Sequence, residues 1–160
     1  MDQDRQKLLE DFITVIKDLT DVAGHISRIE ENKAQAASLK RHELLDGYIQ
    51  KEQALILKLR GLEQHRIRLA KSLGWDSLTF RQILEKAPAE ERQMLTPLFQ
   101  ELDGQLSHLK GAKEAAEKII NVRIHELQVA IARSEGSSYD NSGSMNISAP
   151  RPSKMRDTYV

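Results

Sequence analysis

Cysteine is missing from this chain, which excludes a disulfide framework, a thiol nucleophile and a zinc–thiolate site. Aromatic residues are scarce, at 4%, too few for the thick aromatic core of a compact α/β enzyme. There is no excess charge of either sign, because 24 basic residues meet 24 acidic ones. A nucleic-acid or anionic-membrane binder driven by bulk electrostatics needs a basic excess, so that class is disfavoured. No apolar run approaches the roughly 20 residues needed to span a bilayer. The opening stretch MDQDRQKLLEDF has no apolar core behind a positive flank, so no secretory signal is expected and the cytoplasm is the expected compartment.

What is present is helical patterning. Leu8, Phe12, Val15, Leu19, Val22, Ile26 and Ile29 alternate in steps of four and three, the heptad seam of helices packed along their length. The register then meets Lys33, Ala36 and Lys40 and weakens. It resumes in a shifted phase at Leu45, Tyr48, Leu55, Leu59, Leu62, Leu69 and Leu73. Two arrangements fit: one helix of about 70 residues with a register slip, or two helices bent near Asn32 to Ser38.

Gly74 suits the position just past a helix end. Residues 74–79 form a short connector, and Thr79 with Gln82 reads as a capping box opening a short helix over 79–87. Pro88, Glu90 and Glu91 suit the first turn of a last long helix over 89–133. Pro97 either kinks that helix or restarts it with Thr96 as cap. Short connections make neighbouring helices antiparallel. The expected fold is all-α: an elongated antiparallel helical bundle of three to four helices. It spans residues 1–133 and is followed by a flexible tail over 134–160, rich in Gly, Ser and Asn.

The usual catalytic signatures are missing. None of His25, His42, His65, His108 and His125 has a carboxylate three residues before it, and no two stand four apart, so helical di-iron and zinc patterns fail. No glycine-rich phosphate loop or nucleophile elbow occurs. A non-enzyme without cofactor or metal is expected. The basic stretch KLRGLEQHRIRLAK reads as a solvated face, with Arg66, Arg68 and Lys71 favouring a helix C-terminus.

One segment exceeds the needs of a simple bundle. In KIINVRIHELQVAIA the seam residues Ile120, Leu127 and Ile131 are joined by Ile119, Val122, Ile124 and Val129. A helix apolar on more than one stripe is buried on several sides or keeps a surface for a partner helix. These seven residues are the candidate partner-binding set.

In order and spacing the chain resembles the FlgN-type flagellar export chaperones over roughly residues 8–143. The carriers of the resemblance are the N-terminal amphipathic helix and the central KEQALILKLRGLEQHR, with Lys51, Leu55, Leu59, Leu62, Glu63 and Arg66. They continue with the connector GWDSLTFRQIL, the long last helix and a tail element of Tyr139, Asp140 and Gly143. The resemblance implies a cytoplasmic type III export chaperone. Its partners would be hook-associated (hook–filament junction) proteins, bound by their C-terminal helical regions and kept from premature assembly. It also implies delivery to the export gate protein FlhA, docked through Tyr139 and Asp140, with the export ATPase complex as a further contact. The alternative from the residues alone is a structural coiled coil acting through homo-oligomerisation.

Overall fold

A computed structural model describes residues 2–134. The expected gate-docking pair Tyr139 and Asp140 lies outside the described residues. The protein is an all-α bundle. Helix α1 (Asp2–Ser38) is followed by a 3-10 turn (His42–Leu44) and by α2 (Leu45–Ser72). The short α3 (Phe80–Lys86) and the long α4 (Ala89–Ser134) complete it.

The first seam ends at a turn, so the single 70-residue helix is not formed. After Ser38 the chain closes a Schellman motif: Arg41 N–H donates to Ala36 O at 2.8 Å and Lys40 N–H to Ala37 O at 3.2 Å. Lys40 takes the left-handed position, φ 58°. That position usually belongs to glycine, which is why the stop is hard to place from residue types. The same motif ends α2, where Gly74 sits at φ 86°. There Trp75 N–H donates to Ala70 O at 2.8 Å and Gly74 N–H to Lys71 O at 3.1 Å.

Thr79 and Gln82 close a reciprocal capping box on α3. Helix α4 runs continuously through Pro97, so Thr96 caps nothing; its hydroxyl donates to Arg92 O at 2.7 Å within the helix. Pro88 O accepts the first bond of α4 from Arg92 N–H.

Cross-links between helices fix their directions. The Arg5 guanidinium donates to both Glu91 carboxylate oxygens, at 3.0 and 3.1 Å, and to Leu73 O at 3.1 Å. His108 pairs with Glu31 at 2.9 Å, and Arg123 donates to Ser38 O at 3.0 Å. Rising numbers on α1 therefore meet rising numbers on α4. Consecutive long helices are antiparallel, while the first and last run parallel because α2 carries the chain back. Helix α1 packs against both partners, so its buried face is broad, including Phe12, Ile16, Leu19, Ala23 and Ile26.

Candidate partner-binding seam

The scarce aromatics are concentrated. Phe12 meets Trp75 edge-on with centroids 5.5 Å apart and Phe99 at 6.2 Å; Phe80 stacks on Phe99 at 4.3 Å. This cluster sits where α1 begins, α2 ends and α3 turns the chain into α4. Arg66 belongs to it and not to a solvated face. It is 5% exposed, makes two bonds to Glu63 at 2.9 and 2.6 Å, and lies 5.5 Å over the Phe80 ring. Its planar fork and weak hydration suit it to that semi-apolar place. The central stretch that carries the resemblance is thus a packing stretch: Leu59 is buried, Leu55 and Leu62 pack on the core, and Glu63 holds Arg66.

Further along the rod the core thins. The seam of α1 weakens at Glu30, which is buried at 1% exposure and shares Lys33 with Glu52 of α2. Lys33 donates at 3.3 Å to Glu30 and 3.0 Å to Glu52, while Glu30 Oε2 has no partner among the described residues. Burial pushes the Glu30 carboxyl up to about 7, and the neighbouring Glu52 adds to the shift against the opposing pull of Lys33. Burial pulls the Lys33 ammonium down, but the two carboxylates outweigh it and hold its pKa above the ordinary value. Beyond this cluster the buried residues are alanines: Ala36, Ala37 and Ala116.

The seven candidate residues on α4 divide here. Arg123, tied to Ser38, marks where α1 ends beside α4. Ile119 and Ile120 lie before that point and are half-buried in the bundle. Val122, Ile124, Leu127 and Ile131 are 51%, 39%, 49% and 54% exposed. Val129 is half-buried.

Helical geometry sorts them again. Ile120, Ile124, Leu127 and Ile131 fall in steps of four, three and four on the face that carries Leu102, Leu109 and Ala116 inside the bundle. Val122 and Val129 point roughly 180° away. The exposed stripe is therefore mainly the core seam of α4 running on without a neighbour. From Ile124 to Ser134 this free end is about 16 Å of helix, or three turns. The sequence pattern marks these residues and allows a break near Asn32 to Ser38, but does not decide between that break and one continuous helix.

Two further exposed apolar residues escape a reading of the sequence. Leu39 (58%) and Leu44 (41%) flank Lys40, Arg41 and His42 in the α1–α2 turn. Both lie one position off the seam, beside Lys40 and Leu45, so the heptad pattern does not single them out.

The surface depressions lined by Arg81, Leu84, Glu85 and Arg92, and by Glu43, Leu44, Gly47, Tyr48 and Lys51, are open. All five histidines are exposed. No group of three or more His, Asp or Glu among the described residues could hold a metal ion. No helix among them is long and apolar enough to cross a membrane. Compared with known proteins, the chain matches no family model, no curated protein and no solved structure.

Proposed function

We propose that the protein is a non-enzymatic carrier of amphipathic helices, a cytoplasmic flagellar type III export chaperone of the FlgN type. On this reading it binds the C-terminal helical regions of hook-associated proteins, keeps them from assembling early and hands them to the export gate protein FlhA. One observation carries the reading: the apolar seam of α4 continues through Ile124, Leu127 and Ile131 after α1 has ended. An unpartnered heptad face is what a client helix needs in order to hide its own apolar stripe. The free end spans only about three turns, which suits a hold that must later be released. The order of segments shared with FlgN-type chaperones supports the choice of client.

Calorimetric titration with a peptide from the C-terminal helix of a hook–filament junction protein tests this reading. Binding to the full chain, with a negative heat-capacity change, is expected. A Leu127→Glu variant with unchanged helix content should lose most of that affinity. Undiminished binding by Leu127→Glu would reject the α4 seam as the client site. A concentration-independent oligomer in sedimentation, abolished by the same substitution, would favour the homo-oligomeric coiled coil. Tyr139→Ala cells that swim like wild type at equal protein level would remove the gate-docking role from the tail.

A further inference from the structure

The free end of α4 does not stand alone. Arg123 bonds to the last carbonyl of α1, so the start of the α1–α2 turn, at Leu39 and Lys40, follows directly on the base of the free seam, while His42–Leu44 approach α1 and α2 and not α4. That turn presents Lys40, Arg41 and His42 in a row, all exposed. Among the described residues none of the three lies in an ion pair with a carboxylate. Cations near a helix C-terminus offset its partial negative charge; α1 has none in its own last turn, and Arg123 already reaches its last carbonyl from α4. The seam above the turn is different in character. Its flanking heptad positions after Arg123 are Gln128 and Ala130, both uncharged, and Arg123 itself is occupied by Glu126 at 2.7 Å and by Ser38 O. The apolar part of this surface selects for aliphatic shape. The charges nearest its base are those of the turn.

We propose that the turn and the free end of α4 form one ledge, and that it seats a partner helix of about three turns whose end against the turn is acidic. The partner takes the place α1 would have filled had it continued. Its aliphatic stripe covers Ile124, Leu127 and Ile131, and its acidic end meets Lys40 and Arg41, with Leu39 beside them. A flat anionic membrane fits less well. Glu43 follows the basic triplet directly and Asp46 lies three residues further on, so the turn as a whole carries no basic excess for an extended anionic surface, whereas a helix end touches Lys40 and Arg41 alone. The aliphatic seam is a straight line along one helix, which a helix matches and a bilayer does not require. This inference rests on the α4 seam being the partner site and adds the polarity of what binds there.

Two synthetic peptides of about 21 residues test it, sharing one leucine–isoleucine heptad seam. One carries three glutamates at one end and the other three lysines at the same place. Fluorescence anisotropy at low and high salt should show the glutamate peptide binding about tenfold tighter at low salt, with the gap closing as salt rises. A Lys40→Asn/Arg41→Glu variant, chosen because asparagine tolerates the left-handed backbone, should abolish that preference while still binding both peptides. Equal affinities for the two peptides would overturn the acidic end and leave the seam reading intact. Neither peptide binding, while the junction-protein peptide still binds, would place the client elsewhere and overturn the ledge. Salt-sensitive binding to phosphatidylserine vesicles, lost in Lys40→Asn/Arg41→Glu, would replace the helix by a membrane and overturn it. So would self-association lost in Leu127→Glu, which makes a second copy the occupant. Much tighter peptide binding by a chain ending at Ser134 would name residues 135–160 as the occupant, and would overturn the partner helix in the same way.

Discussion

The two ends of the rod are built from different materials. Where α1 begins, all three phenylalanines and the tryptophan interlock, Arg5 joins three elements and Arg66 is buried between Glu63 and Phe80. Where α1 ends, the interior is alanine, a buried carboxylate is short of a partner, and leucines and isoleucines face outward. One end is closed by large side chains that bury much surface each. The other is narrow and leaves the α4 seam uncovered, whereas the exposed Leu57, Ile67 and Met94 elsewhere stand singly. A domain divided in this way can keep its fold at one end while the other end exchanges partners.

The sharpest test of that division is a pair of truncations. Phe12→Ala removes the ring that touches both Trp75 and Phe99 and should cost about 3–5 kcal/mol. Chemical denaturation followed by circular dichroism measures it. Ile131→Ala at the free end should cost less than about 0.5 kcal/mol, because an exposed side chain loses little on truncation. Similar costs at both positions would mean that the free end is packed against something and would erase the contrast.

A second test uses pH. The folded-state Glu30 carboxyl sits at about 7, above its ordinary 4.5. The folded chain therefore holds a proton that the unfolded chain releases, and stability falls as pH rises from about 4.5 through 7. Glu30→Gln fixes the neutral form and should remove this part of the slope. Relative to wild type it should gain on the order of 2 kcal/mol at pH 8 and almost nothing at pH 4. Parallel stability–pH curves for the two proteins would show that the Glu30–Lys33–Glu52 cluster is not protonated as inferred. The loss of stability should be felt first at the thin end, so amide exchange in the first turns of α2 should quicken with pH more than exchange near Trp75.

Much of the bundle is legible in the sequence because its rules are local. The heptad steps from Leu8 to Ile29 mark α1, Gly74 marks the end of α2, and Thr79 with Gln82 supplies a cap that needs no tertiary partner. What escapes depends on distant residues. Arg66 looks like surface because only folding brings Phe80 to it. Lys33 looks like a flaw in a seam because its partner Glu52 lies across the helical hairpin. Pro97 reads as a kink or a restart, and α4 carries it without restarting. The candidate site is half legible: residue types mark seven positions from Ile119 to Ile131, of which Val122 and Val129 point away from the seam, and whether Ile120, Ile124, Leu127 and Ile131 are covered is decided by the length of α1. That length is set at Lys40, where no glycine announces the stop.

Lys40 also supplies the mildest way to probe the comparison. A lysine at φ 58° bears a steric cost that glycine does not, of roughly 1 kcal/mol or less once the greater freedom of unfolded glycine is counted. Lys40→Gly should therefore stabilise the hairpin by up to about 0.5–1 kcal/mol, visible as a small rise in denaturation midpoint without a change in slope. Because the turn belongs to the thin end, the gain should appear as slower amide exchange around Ala36 and in the first turns of α2, with the aromatic end unchanged. A uniform slowing along the whole rod would mean that the two ends open together as one cooperative unit. In that case the thin end could not yield to a partner without loosening the aromatic end, and the division of labour between them would fail.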